Sequence, residues 1–480
     1  MRRLHLSTIK VVAGTSESAL QPAAIADASS TSVNAAEIAA RIDRLPFSAW
    51  HVRLVAVVGV AHLLDAFDSL AIALVLPVLI ELWHFTPGKI GLVISIGYVG
   101  QMAGAIALSW LSERFGRLRV LRWSLGIMAV LSAATAFAGN YVTFTILRFI
   151  QGLGLGGEVP VAVTLVNELT PTRFRGRVAT ALQSMFAGGI LITSVAAVWL
   201  IPHFGWKSMF LVGALPTVLV FIIGRVVPES PRWLSLRGRT EEASAAVGRM
   251  EAEISKNGAR PLAAVGQITP RPILRHGRFA DLFRNGYAAR TICIWTIMFC
   301  ISATGNALVT WLPTIYRTSY HISLTNTFLL STVLGVAGLA GGMTSILLID
   351  SIGRRRTFMI ALFGNAVSLA VLWGGSPTSM VVVVSLLTAS NYLIAIGLGS
   401  VHAYATEIYP TRMRALGAGT AMAWLRIAQV VTPLIIGALL GHLGVGAVFL
   451  FLAAMGTIGG VTVAVAAVET KGRSLEEISA

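Results

Sequence analysis

The chain has 480 residues, of which 55% are hydrophobic and only 12% charged, and its mean hydropathy is +0.77. A soluble domain carries about a quarter charged residues, so this balance excludes an ordinary soluble protein and indicates an integral membrane protein with many spans. The net charge of +16 does not mark a nucleic-acid binder, because the basic residues sit in short segments between apolar runs.

In chain order, residues 1–50 are rich in Ala and polar residues and lack the apolar core and cleavage site of a signal peptide. They are expected to form a cytoplasmic tail, with a short amphipathic helix near AAEIAARIDRL, Ala35 to Leu45. Runs of about 20 apolar residues, enough to cross a bilayer, fall at 54–80, 90–111, 120–139, 142–166, 178–201 and 208–227, then at 291–316, 326–348, 357–374, 379–404, 416–440 and 444–468. The predicted fold is an all-α membrane protein with twelve transmembrane helices in two halves, 51–227 and 290–468. A cytoplasmic loop, 228–289, separates them and a cytoplasmic tail, 469–480, follows. Cys293 and Cys300, the two cysteines of the chain, lie about 10 Å apart along one helix, too far for a disulfide. They are expected to pack or to face lipid.

The links alternate in charge. Arg114, Arg117, Arg119 and Arg122, then Arg173, Arg175 and Arg177, then Arg354, Arg355 and Arg356, then Arg412 and Arg414 occupy every second link. The intervening links are short and almost free of positive charge, and the one near Tyr320 carries Arg317. The positive-inside rule makes the arginine-rich side cytoplasmic, with both termini there. The Ala- and Arg-rich usage points to a bacterial inner membrane.

The halves repeat each other. ELTPTRFRG at Glu168–Gly176 returns as EIYPTRMRA at Glu407–Ala415, and SERFGRLR at Ser112–Arg119 returns as DSIGRRR at Asp350–Arg356. The two pairs have nearly one offset, as expected of a duplication related by an axis along the membrane normal.

Over residues 50–480 these motifs resemble the major facilitator superfamily. WLSERFGRLRV matches its loop signature after the second span, and RFIQGLGLGG and ELTPTRFRG belong to the same pattern. PESPRWL (Pro228 to Leu234) and VETKGRSLEEI (Val468 to Ile478) resemble the sugar-porter branch, with Val468 in place of proline. The chain departs from hexose transporters of that branch, whose seventh span carries paired glutamines, because the seventh span here has Asn306 and no glutamine. Asp-Ala-Phe-Asp in the first span is similar to the Asp-Gly-Phe-Asp of aromatic-acid:proton symporters. The resemblance implies alternating access driven by the proton gradient, with no bound cofactor or metal.

Polar residues at mid-depth are the candidate machinery, since each costs a few kcal/mol to insert. Asp65 and Asp68 lie about 16 and 21 Å into the first span. Spaced i, i+3, they share one face and are candidates for proton coupling, or for pairing with an arginine. Arg148, Gln151 and Glu158 form one stripe on the fourth span; Arg148 and Gln151 are candidate substrate contacts, Arg148 can also reach the acids, and Glu158 is a further proton-coupling candidate, with structural pairing inside the first half the alternative. Arg426 and Gln429 lie near mid-depth in the eleventh span. Either a substrate carboxylate, matched bidentately by the guanidinium, or an acid across the halves would be the counter-ion. Asn306, Asn391 and Tyr392 are candidate substrate contacts or interhelical glue, and Trp311 and Trp424 are candidate stacking residues or interface anchors.

The arginine-rich links read as gate motifs in which ion pairs break and re-form as the halves rock. The expected groupings are Glu113, Arg114, Gly116 and Arg117; Glu168 with Arg173 and Arg175; Asp350 with Arg354; and Glu407 with Arg412. Glu229 and Arg232 are expected to extend the network. The chain has no phosphate-cradling GxxxxGK[ST] loop, HExxH or CxxC, and GLGLGG (Gly152 to Gly157) lies in an apolar run and reads as close helix packing. No feature indicates an enzyme. The leading expectation is a monomeric secondary transporter that imports a small organic, or aromatic, carboxylate with protons. A sugar or polyol carrier, an organic-cation or drug proton antiporter and a transporter-like receptor are the rivals.

Overall fold

The computed structural model describes residues 36–256, 278–284, 286–375 and 379–471. The first part of the expected tail, the 257–277 stretch of the central loop and the end of VETKGRSLEEI lie outside them. Among the described residues there is no strand, and twelve helical segments are long and apolar enough to cross a membrane. A helix over residues 36–43, α1, is followed by α2 (Ala49–Trp83), α3 (Pro87–Phe115), α4 (Arg117–Ala136), α5 (Tyr141–Leu169), α6 (Arg175–Phe204), α7 (Lys207–Val212) and α8 (Pro216–Val226). Then come α9 (Pro231–Leu236) and α10 (Thr240–Lys256), and the second half, α11 (Tyr287–Thr318), α12 (Leu324–Ser351), α13 (Arg354–Gly375), α14 (Met380–Glu407), α15 (Thr411–His442) and α16 (Val445–Ala466).

Helix is the form the lipid demands, because it satisfies every backbone group internally. The starts carry local signals. The side chains of Thr86, Asn140 and Ser323 accept from the backbone N–H three residues on, at 3.4, 2.9 and 3.4 Å. One expected span differs. The stretch 208–227 is broken into α7 and α8 around Gly213–Leu215, just before Pro216. Proline lacks the N–H and favours a helix start. The break seats Gly213 against the side chains of Asp68 and Ser132, where a Cβ would stand 2.6 Å from the Asp68 carboxylate.

The glycines of the GLGLGG stretch serve close packing, as expected. Gly152 and Gly156 lie on the backbone of Gly97 and Gln101, and Gly100 and Gly104 lie on that of Phe149 and Leu153, so α3 and α5 touch main chain to main chain. In the second half, Gly456 and Gly459 of α16 pack on Leu362 of α13. Cys293 and Cys300 are free thiols buried in the core of that half, which settles their place as packing residues.

The halves meet where α3 lies on α15, α2 on α11 and α6 on α12. Glu81 accepts from Arg317 Nε at 2.7 Å, Ser95 Oγ donates to the Val430 carbonyl at 2.7 Å and Tyr98 Oη to Asn306 Oδ1 at 2.7 Å. Gly91 and Gly437 further admit the backbones of Pro433 and Pro87. These contacts all lie at mid-depth or toward the end away from the arginines. The molecule is sealed at that end.

At the arginine-rich end, α1 binds the α9–α10 segment. Ile38 and Ile42 pack with Trp233, Leu234, Ala243 and Val247. Glu251 pairs with Arg41 and with Arg44, each at 2.7 Å, and Arg53 pairs with Glu253. Burial works against the Glu251 charge, but Arg41 and Arg44 hold its carboxyl below the usual range. The described parts of the expected tail and central loop thus form a small helical platform on the first half.

Candidate functional site

Two carboxylates on α2 meet different neighbours. Residues i and i+3 stand about 60° apart around a helix, enough to send Asp68 toward α4, α5 and α7 and Asp65 toward Glu158. Asp68 is fully buried. It accepts from Ser132 Oγ at 2.7 Å and from the Gln151 amide, and Arg148 Nη1 stands 3.7 Å from its second oxygen. Arg148 also donates to Gln151 Oε1 at 2.8 Å, and its guanidinium lies over the Phe210 ring. For Arg148 and Gln151, expected as substrate contacts, this packing supplies partners inside the first half. Both side chains face Asp68, and the unit joins the first, third, fourth and sixth spans inside the first half.

Asp65 is also buried, at 4% exposure, but forms no ion pair among the described residues, and its Oδ1 has no hydrogen-bond partner there. Glu158, at 0% exposure, accepts from or donates to His62 Nδ1 at 3.0 Å through Oε2, while Oε1 is unpartnered among the described residues. His62 also hydrogen-bonds Gln183 of α6 and lies beside the Phe186 ring. The sequence reading missed His62, although it stands i−3 from Asp65 and a histidine inside an apolar span is itself a signal.

Arg426 projects from α15 between the halves. It donates to Gln429 Oε1 at 3.0 Å and reaches Gln101 Oε1 of α3 at 3.4 Å. Among the described residues it forms no ion pair, and the nearest acidic influence is the charge of Asp65 across the interface. Tyr98 and His402 lie within electrostatic reach of the guanidinium in this central zone, and Tyr98 links it to Asn306 through its hydrogen bond. Tyr98 and Gln101 were missed because a tyrosine or glutamine near a span's middle carries no signal until its partner is known. Asn306 is where the sequence placed it, and its Nδ2 is unpartnered among the described residues.

Asn391 and Tyr392 take the interhelical role that was the alternative to substrate contact. Asn391 donates to the Leu334 carbonyl at 2.8 Å and Tyr392 to Thr344 Oγ1 at 2.9 Å, so both tie α14 to α12. Trp311 is buried in the core of the second half, whereas Trp424 is half-buried and tilts against Trp295 at 5.5 Å.

The gate motifs assemble, with changed partners. Glu113 and Asp350 pair with Arg117 and Arg354 at 2.9 and 3.0 Å. Glu168 pairs with Arg117 at 3.4 Å rather than with Arg173 or Arg175, and Glu407 pairs with Arg354 at 3.0 Å rather than with the exposed Arg412. Arg173 and Arg175 instead donate to the carbonyls of Leu45 and Thr170, at 3.1 and 3.2 Å, and the exposed Arg114 lies against Phe115. Arg232 pairs with Asp43 at 3.7 Å. Gly116 has φ +107° and Gly353 φ +91°, and each lies against a carboxylate: Glu229 and Glu469. Glu229 accepts from the Leu118 N–H at 3.0 Å and Glu469 from the Arg354 N–H at 2.9 Å, so each caps the helix that follows the glycine. Glu469, the repeat partner of Glu229, was missed. All these bonds lie within one half, so in this structure the motifs staple each half as a rigid body rather than latch one half to the other.

A family model described as sugar (and other) transporter matches residues 77–480. The chain belongs to this transporter family of the major facilitator superfamily. It is a multi-pass integral membrane protein and a transporter of small molecules, not an enzyme. It is 32% identical over 446 residues to the niacin transporter NiaP of Acinetobacter baylyi, covering 92% of this chain and 99% of that one. It is 29% identical over 412 residues to the gallate transporter of Pseudomonas putida, covering 85% and 90%. Among solved structures, the inward-open xylose transporter XylE from E. coli superposes with a TM-score of 0.70 at 20% identity, over 89% of this chain and 99% of that one. That likeness concerns the fold.

Proposed function

We propose that this transporter imports a small aromatic or heteroaromatic carboxylate together with protons, across a bacterial inner membrane with its arginine-rich face and both termini in the cytoplasm. The observation that carries the reading is Arg426, a permanent cation at mid-depth between the halves with neutral side-chain partners and no ion pair among the described residues. An unpaired charge there is expensive, and a substrate carboxylate received by the guanidinium fork is the matching counter-ion. The relatives named for niacin and gallate, both aromatic acids, agree with it.

Asp65 supplies the coupling. Ionised, it is the acid whose charge acts on Arg426 from the other half. Protonated, it leaves that charge to the substrate. One proton and one carboxylate thus bind together, and neither alone neutralises the site. No cofactor takes part.

The carboxylate–amide pair nicotinate and nicotinamide tests the anion site. Arg426→Lys replaces a two-pronged contact with a point charge and is expected to weaken nicotinate binding by about 10- to 100-fold, the loss of one charge-assisted hydrogen bond, with little effect on nicotinamide. Equal losses for both would make Arg426 a structural residue. A sugar carrier is the second reading, favoured by the breadth of the matching family; transport of neutral pentoses or hexoses with Arg426 dispensable would support it.

A further inference from the structure

The first half holds a second buried ionisable pair that the anion site does not use. His62 Nδ1 and Glu158 Oε2 are 3.0 Å apart at 1% and 0% side-chain exposure. It sits one helical turn from Asp65. The groups whose charges act on Asp65 are Glu158 of α5, His62 and Asp68 of its own helix and Arg426 of α15. Those acting on His62 are Glu158 and Asp65, with the neutral Gln183 of α6 as a further hydrogen-bond partner.

We propose that His62 is a positioning residue for the coupling carboxylate: as imidazolium it cancels the charge of Glu158, so that the proton affinity of Asp65 is set against a neutral pair. The geometry gives three reasons. Glu158 has no arginine or lysine ion-pair partner among the described residues, so without His62 its charge would stand buried and uncompensated. Asp68, the other nearby acid, is already answered by Arg148, Gln151 and Ser132. Asp65 has no ion pair among the described residues, and its buried Oδ1 has no hydrogen-bond partner there. The division of labour follows: Asp68 with Arg148 holds the half together, His62 with Glu158 sets the local field, and Asp65 changes charge during the cycle.

This inference rests on the proton-coupled reading above, and the test separates the two. Proteoliposome uptake of nicotinate is measured across external pH for the native protein, His62→Gln, Glu158→Gln and the double variant. Removing one unit charge about 5–6 Å from Asp65, the spacing of i, i+3 neighbours, shifts a titration by about two pH units in a medium of effective dielectric constant near 20. His62→Gln leaves Glu158 negative, so the midpoint moves to higher pH. Glu158→Gln leaves the imidazolium, so the midpoint moves lower. The double variant returns close to the native midpoint. His62→Lys, which keeps the charge, restores the native midpoint and serves if His62→Gln folds poorly. Single variants with the native midpoint would overturn the assignment, and so would a double variant more impaired than either single one. If native uptake ignores pH and a protonophore, the coupled reading itself fails and this assignment with it.

Discussion

Replacing Asp68 and replacing Asp65 with asparagine remove the same charge three residues apart, yet the structure separates their effects. Asp68→Asn leaves Arg148, at 4% exposure, without its carboxylate. The new amide keeps an acceptor for Gln151 only if its NH2 replaces the oxygen that Ser132 now donates to, so that hydroxyl must turn from donor to acceptor. Breaking a buried pair from one side costs about 3–5 kcal/mol. If the first half unfolds as one unit, this is a fall in melting temperature on the order of 10 °C. Asp65→Asn removes a carboxylate with no ion pair among the described residues and an unpartnered oxygen, so its cost stays within about 1 kcal/mol. Thermal unfolding of the purified protein in detergent, followed by far-ultraviolet circular dichroism, measures both. The double variant Asp68→Asn with Arg148→Gln, which removes the orphaned cation, recovers at least half of the loss. Equal shifts for Asp65→Asn and Asp68→Asn, or no rescue in the double variant, would refute the separation of the two acids.

Glu81→Gln removes the ion pair that bridges the halves at the sealed end. Because both groups are substantially exposed, the effect on stability stays below about 1 kcal/mol. The balance shifts toward the state open at that end, read as faster labelling of a cysteine placed beside Ser95. Glu251, held below the usual carboxylate range by Arg41 and Arg44, contributes stability that is present above its unfolded value and lost as pH falls through its lowered folded value. Acidification therefore loosens α1 from α10 before the spans unfold, and Glu251→Gln abolishes that step in a limited-proteolysis titration. Protection of α1 that is insensitive to both would contradict the assignment.

Much of the fold was legible because lipid imposes strict rules. Twelve apolar runs became twelve spans, and the repeated motifs became matching corners that each set a positive-φ glycine against a capping carboxylate. Partners were less legible. Glu168 chose Arg117 over the nearer-in-sequence Arg173 and Arg175 because α4 starts beside the end of α5, a tertiary fact no spacing encodes. Asp65 and Asp68 share a helix face in sequence, yet 60° of rotation and the gap at Gly213 give them different neighbours. His62 was hidden by the two acids beside it, and Tyr98 and Gln101 gain meaning only from Asn306 and Arg426 on the other half.

The most direct test of the whole account is uptake of nicotinate or benzoate by purified protein in liposomes with an imposed inward proton gradient. The account predicts accumulation that collapses with a protonophore, and an Asp65→Asn variant that loses accumulation but still exchanges labelled for unlabelled substrate. Gradient-driven accumulation that survives in Asp65→Asn, or uptake confined to neutral sugars, would contradict it.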